Sequence, residues 1–263
     1  MTGLSLTAKF SLMIRNGKPL VLMLGFALAL GACIHAAPAA APPAAPAAAG
    51  DEAAGQALAE KIRSSVPTEN YERHAVLLID SKTGHEEIPV ACQVIIHPET
   101  GEWETIYQTT ATNQAKAERL VITHSPGGPN RYVYENQEVP PAATPVPFAG
   151  SDYSLGDLGL EFLHWPGQSE LKGEMRLGQP CYVLQSTNTP QGGVARVKSY
   201  IDKESGGLLI AEAFDANGSR IKSFSLHGSS FKKVNGQYQL EKMEIVNEKT
   251  GSHTVLKFDM PKD

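Results

Sequence analysis

The chain has 263 residues, 41% of them hydrophobic and only 7% aromatic, which leaves one generous domain once the N-terminal segments are set aside. Its formal charge is −5 even with Lys9, Arg15 and Lys18 counted, and its other basic residues are scattered rather than clustered. That balance lacks the positive patch that a nucleic-acid surface requires, so nucleic acid is excluded as a partner.

The N-terminus reads as an address. Residues 1–18 are polar and net positive, and 19–30 (PLVLMLGFALAL) form a short apolar core. This is the layout of a secretory signal peptide, here residues 1–32, and is too short for a comfortable membrane span. A start at Met13 would give a more typical basic region. The core ends in Leu30-Gly31-Ala32-Cys33, which resembles the bacterial lipobox, where small residues let the peptidase approach the backbone and the cysteine thiol is acylated. The resemblance implies lipid attachment at Cys33; plain secretion with cleavage near Ala36 or Ala37 is the alternative. Ile34 stands where an aspartate would imply retention at the inner membrane, so the same resemblance implies an anchor in the outer membrane, facing the periplasm. Residues 33–50 are almost pure Ala and Pro from position 35, have no core to bury, and read as a semi-extended tether. The folded domain is expected over 51–263, opening with a short amphipathic helix over 51–64 that carries Leu58 and Ile62 at helical spacing.

From Arg73 the period changes to two. Residues 75–79 (AVLLI) are nearly all apolar; Val90, Cys92, Val94 and Ile96 alternate with their neighbours, as do Trp103, Thr105 and Tyr107. Turn chemistry separates them at Lys82-Thr83-Gly84 and over 98–101. Residues 120–123 and 131–134 make another pair, and a Pro-rich crossing over 139–147 follows.

The stretch 150–166 (GSDYSLGDLGLEFLHWP) then interrupts the strands with a helical signal. Ser154 is a good N-cap and Asp157, three positions on, resembles a capping box. Leu155, Leu158, Phe162 and Trp165 share one stripe at helical spacing, while Leu160 and Leu163 fall off it. Gly156 and Gly159 cost roughly 1 kcal/mol each relative to alanine, so packing has to hold the helix. A helix apolar on two sides among strands can plug a sheet with one face and meet something else with the other; the plainer reading is an ordinary core helix.

The meander then resumes. Strands are expected over 181–184, 194–201, 208–214 and 221–226, the last after Asn217-Gly218. Asn235-Gly236 separates 231–234 from 237–246, a hairpin signal, and Tyr238 and Leu240 are out of phase with Met243 and Ile245, which predicts a bulge near Glu241 or Lys242. A final strand covers 253–260. About a dozen closely spaced strands argue for one large antiparallel sheet or barrel, a mainly β fold with a few helices.

Cys92 and Cys181 both fall in predicted strands and form a disulfide if they face each other; otherwise they are two buried thiols. None of the eight histidines sits in HExxH or a His-x-His pair, no cysteine joins them at zinc spacing, and no metal or cofactor is expected. His164, beside Trp165, reads as a solvated helical residue. No GxSxG elbow, phosphate loop or dinucleotide fingerprint occurs, so the chain is not expected to be an enzyme.

Residues 151–155 (SDYSL) with Asp157-Leu158, then 178–184 (GQPCYVL), 201–209 (IDKESGGLL), 214–218 (FDANG), the hairpin from 236–238 (GQY) to 243–245 (MEI), and 250–252 (TGS) together resemble the LolA-like family of outer-membrane lipoprotein-sorting proteins, over about residues 70–258. Their order around the capped helix carries the resemblance. It implies an incompletely closed antiparallel β-barrel with a helical lid over an apolar cavity, which shelters acyl chains of lipoproteins or other lipids in sorting or transport. The expected cavity residues are Leu155, Leu158, Phe162 and Trp165 from the helix and Trp103, Tyr107, Phe224 and Leu226 from the strands. The alternative is a structural or interaction lipoprotein of the envelope with a filled core. The lid arginine of the soluble carrier has no counterpart among these residues.

Overall fold

A computed structural model describes residues 50–260 apart from 112–115, 126, 192, 227–229 and 235–236. The expected signal peptide, the tether as far as residue 49, Cys33, His35, His227 and the Asn235-Gly236 turn lie outside the described residues. Asp51 caps helix α1 (Glu52–Arg63) by accepting a hydrogen bond from the Ala54 N–H at 2.9 Å, with Glu52 in the first turn and Lys61 and Arg63 in the last, the charge order a helix dipole favours. Leu58 and Ile62 lie on its inner face, as their spacing predicts.

Strands β1 (Tyr71–Ser81), β2 (Gly84–His97), β3 (Glu102–Thr109), β4 (Arg119–His124), β5 (Arg131–Tyr134) and β6 (Gln137–Val139) follow as consecutive hairpins. After the crossing come β7 (Gly167–Arg176), β8 (Gln179–Gln191), β9 (Val194–Asp202), β10 (Leu208–Phe214) and β11 (Arg220–Ser225). The chain ends with β12 (Phe231–Val234), β13 (Gln237–Leu240), β14 (Lys242–Asn247) and β15 (Ser252–Phe258). Thirteen of them form one antiparallel sheet in the order β6-β5-β4-β3-β2-β1-β15-β14-β11-β10-β9-β8-β7, open between β6 and β7, and β12 and β13 make a separate ribbon.

The expected bulge near Glu241 is a hand-off between these two sheets. Glu241 belongs to neither strand: its N–H donates to the Ser230 carbonyl and its own carbonyl accepts from Phe258 N–H, both at 2.7 Å. The change of phase from Leu240 to Met243 is therefore a change of sheet. Gly218 closes the β10–β11 turn with φ +82°, and a Cβ there would meet nothing within 4 Å. Any cost of a side chain at that position is conformational. Gly218→Val is expected to destabilise the domain by about 1–2 kcal/mol and Gly218→Asn by clearly less, read from urea midpoints.

Two apolar clusters lie side by side. The first joins Ala75, Leu77, Ile88, Val90, Cys92, Leu120, Ile122, Ile245 and Leu256 of the sheet to Phe148, Tyr153 and Leu155 of the crossing. The second joins Leu184, Val197, Ile201 and Ala211 to Leu58 and Ala59 of α1 and to Phe162 and Leu163. The crossing from β6 to β7 thus runs over both. On β8, Val183 and Cys181 alternate with Leu184 and Tyr182 and face the other side, where they form a small third cluster with Tyr200 and Leu209. Cys92 and Cys181 consequently sit in different clusters; both are buried and free, and the pairing considered from the sequence is not made.

Candidate functional site

The crossing is pinned before it turns. The Asp152 carboxylate accepts from Ser252 Oγ at 2.6 Å and Thr254 Oγ1 at 2.8 Å, tying it to β15. Ser154 and Asp157 then make the expected capping box: Ser154 Oγ accepts from the Asp157 N–H at 3.1 Å, and Asp157 accepts from the Ser154 N–H at 2.8 Å. The helix it opens, α2, is one turn long (Leu155–Leu158). Gly159 ends it, Leu160 adopts a left-handed conformation (φ 50°, ψ 41°), and a 3-10 turn follows over Glu161–His164. The single helix expected over this stretch is therefore two turns broken at Leu160.

The break follows from how the segment meets the sheet. A Cβ on Gly159 would overlap the Tyr132 hydroxyl, and one on Gly156 would come within 2.8 Å of Thr144 Oγ1. The two glycines that weaken the helix let it lie directly on β5 and the crossing. Gly159 also offers its carbonyl to Asn130 Nδ2 at 2.8 Å.

That bond belongs to a buried polar chain which sequence reasoning missed. Asn130 Nδ2 also donates to Tyr132 Oη at 3.2 Å, and Tyr132 Oη donates to Glu161 Oε2 at 2.8 Å. With the Asn130 amide nitrogen so committed, its oxygen accepts from His124 Nδ1 at 3.0 Å, which leaves His124 Nε2 to accept from Thr105 Oγ1 at 3.1 Å. Trp103 stacks on the His124 ring at 4.8 Å. Burial pushes the His124 pKa down to about 4 and raises that of Glu161, the latter opposed by the bonds from Tyr132 and Asn130. His164 is not the solvated residue expected: burial, with Arg63 beside it, takes its pKa down to about 4.

The signs of these shifts set a pH response. The unfolded imidazole titrates near about 6.5, so between 6.5 and 4 the unfolded chain binds more protons than the folded one. The stability that His124 and His164 contribute is complete above that window and is lost as pH falls through it. Glu161 acts oppositely, contributing at low pH and losing its contribution as pH rises through its elevated folded value. The melting temperature is expected to fall between pH 6.5 and 4, with a shallower slope in His124→Gln, whose amide stays neutral.

Between the two clusters, under the broken segment, lies a cleft of ≈ 30 Å³. Leu160, Phe162, Val197, Ala211, Ala213, Phe224 and Ile245 line it, and Asp157 and Lys222 are its charged residues. Lys222 Nζ donates to Asp157 Oδ2 at 2.7 Å, joining β11 to the capping box. Of the expected cavity residues, Phe162 and Phe224 line the cleft. Leu155 and Tyr107 are packed inside the first cluster, with Leu158 against it; Trp165 packs on the second. Trp103 is held by His124, and Leu226 is buried just beyond β11, its N–H donating to Leu209 carbonyl at 2.7 Å. Leu160 was set off the helical stripe, and its left-handed backbone is what brings it to the lining. The alternating small residues Ala211 and Ala213 on β10 were the available signal for space. Among the described residues no group of three or more His, Cys, Asp or Glu is placed to hold a metal, and no helix is long and apolar enough to cross a membrane.

A family model described as that of an uncharacterized protein matches residues 106–262, more than half of the chain. The chain belongs to that family. Solved structures share its fold. A Vibrio parahaemolyticus domain described as an outer membrane lipoprotein-sorting protein is similar at TM-score 0.65 and 16% identity, covering 80% of this chain and 92% of its own. A DUF1329 family protein from Desulfovibrio piger is similar at TM-score 0.63 and 15% identity, with the same coverage. A LolA superfamily protein from Nitrosomonas europaea is similar at TM-score 0.53 and 15% identity, covering 82% and 95%. No curated protein matches the chain. The LolA-like fold is thus present as an unclosed antiparallel sheet with helical segments on one face.

Proposed function

We propose that this LolA-like protein is a lipid-anchored envelope lipoprotein that takes up acyl chains of lipoproteins or other amphiphiles in the cleft under residues 154–165, in sorting or transport and without catalysis. The observation that carries this reading is the composition of the cleft: seven apolar side chains with a single ion pair, at the seam between two separately packed clusters. Such a site binds by excluding water, at about 0.8 kcal/mol per CH₂ buried. At ≈ 30 Å³ the cleft has room for a water or two, whereas pockets for small ligands run to roughly 300–1,000 Å³. Uptake therefore requires the roof to lift. Asp157–Lys222 is one polar contact that must yield, and a part-exposed pair of this kind is worth about 1 kcal/mol or less. A few buried methylenes offset that.

In this reading residues 1–32 are removed as signal peptide, residues 33–50 are the tether, with the acyl anchor on Cys33 in the outer membrane, and the domain from 51 works on the periplasmic side. A fatty-acid analogue should label the wild type metabolically and leave Cys33→Ser unlabelled; equal labelling of both would remove the anchor. The purified, delipidated protein should take up a fluorescent fatty acid at micromolar concentration, and Ala213→Leu, which fills the cleft, should abolish uptake with the fold retained. The small volume favours one other reading, an envelope-structural protein with a filled core. A wild type that binds no probe, together with a Phe162→Ala variant that loses stability at full core magnitude, would favour it.

A further inference from the structure

Among the described residues four large hydrophobic side chains are exposed, Val66, Val146, Met175 and Leu177, and the last two share one hairpin tip, 61% and 48% exposed. Leu177 and Gly178 form the two-residue turn between the paired Arg176 and Gln179, both with positive φ (50° and 78°). A turn with positive φ at both positions favours Asn-Gly or Asp-Gly, and a leucine adopts that conformation seldom. Leucine here serves neither the backbone nor the core. A Cβ on Gly178 would meet nothing within 4 Å, so the tip stands free.

We infer that the Met175–Leu177 tip is a membrane-contact element that dips into the lipid interface. Two apolar side chains at a convex tip are far too small for a protein interface, which takes about 800 Å² from each partner. They suit the boundary between headgroups and acyl chains, where isolated apolar side chains insert beneath basic ones. The strand that leads to the tip carries Lys172 and Arg176, with the acidic Glu174 between them, and Lys203 lies beside the same hairpin, its N–H donating to the Pro180 carbonyl. Lys172 is exposed; Arg176 lies 4.3 Å over the Tyr200 ring while pairing with Glu174, and the exposed Lys203 lies 4.7 Å over Tyr182. The tip belongs to β7, the sheet edge onto which the chain enters, since Asp51 bridges to Glu170 of that strand. Seven residues of strand from Glu170 to the tip span about 23 Å. Residues 34–49, if extended at about 3.1 Å each, reach about 50 Å, so an anchor at Cys33 leaves the tip within range of the bilayer.

The inference rests on the chain acting at a membrane, and the test separates the two. The full chain with Met175→Cys is labelled with an environment-sensitive dye, to which the buried Cys92 and Cys181 are poorly accessible. It is then placed in vesicles of phosphatidylethanolamine with one third phosphatidylglycerol. The dye should shift to the blue and be quenched by nitroxide-bearing lipid, while the same dye on Val146→Cys should do neither. Adding Leu177→Asn, which suits the turn better and so preserves the fold, should lower the inserted fraction roughly tenfold. If Cys33 proves not to be acylated, the chain is added to the same vesicles from solution, and a blue shift there keeps the tip without the anchor. A dye at position 175 that reports water throughout, on protein that does float with the vesicles, overturns the inference and leaves the anchor standing. No shift and no flotation overturns it as well.

Discussion

Phe162→Ala is expected to lower stability by about 3 kcal/mol, at the low end of the 3–5 kcal/mol typical of a core phenylalanine. The ring is 7% exposed and packs in the cluster that joins α1 to β8, β9 and β10, so most of its surface has protein partners to lose. One side faces the cleft instead, and those contacts are missing already. Its backbone remains useful, since the Phe162 carbonyl accepts from the buried Gln168 Nε2 at 2.9 Å, and alanine keeps that bond. For a domain of this size the melting temperature should fall by about 6–12 °C. The same position tests the cleft. Phe162→Ala widens it and should leave uptake of a fluorescent fatty acid intact in the folded fraction, whereas Phe162→Asp should abolish uptake. A stability loss at the top of the range, with no probe bound by wild type or variant, would mean that the ring is ordinary core.

Gly55→Val is expected to release α1 from the sheet. A Cβ at Gly55 would overlap the backbone of Ser169 on β7, and a backbone in a paired strand cannot move aside as a side chain can. The helix has to lift, and with it go Leu58, Ala59 and Ile62 from the second cluster. Losing most of the burial of a leucine and an isoleucine amounts to about 4 kcal/mol. Arg63, which donates to the Leu163 carbonyl, would also leave the roof segment. The expected results are a melting temperature lower by about 8–16 °C and rapid proteolysis near residue 64 under native conditions. Gly55→Ala should show the same direction at smaller size. An unchanged melting temperature for Gly55→Val would mean that α1 does not dock through this face.

Alternation made most of the sheet legible. Val90, Cys92 and Val94 are buried on β2 as their period of two requires, and the Asn217-Gly218 turn sits where the dipeptide puts it. β7 was not legible, because GQSELKGEMR is an edge strand with polar residues on both sides and no apolar period to reveal it. The capping box of Ser154 and Asp157 could be read because its determinants are three residues apart. The end of that helix could not, because it is set by Tyr132, more than twenty residues away, meeting Gly159. The cleft was hidden for the same reason. Val197, Ala211, Phe224 and Ile245 share a wall only because β9, β10, β11 and β14 are neighbours, and no local pattern states that order. The polar chain from Thr105 to Glu161 likewise spans three strands and the crossing.

The strand order also governs the sequence of events during synthesis. Nearly every neighbour in the large sheet is the next strand in the chain, or is separated only by the β12–β13 ribbon; the exception is β1, whose second partner is β15. The first six strands can therefore zip up as they leave the ribosome, through hairpin closures that cost little loop entropy. All that time β1 presents a bare edge carrying Ala75, Leu77 and Ile79, and the strand that covers it is the last one made. A half-made chain is thus an apolar, unpaired template, open to capture by other chains until its final residues arrive. If the chain is exported as proposed, this is an advantage as much as a hazard: what keeps the domain unfinished until β15 is present also keeps it threadable.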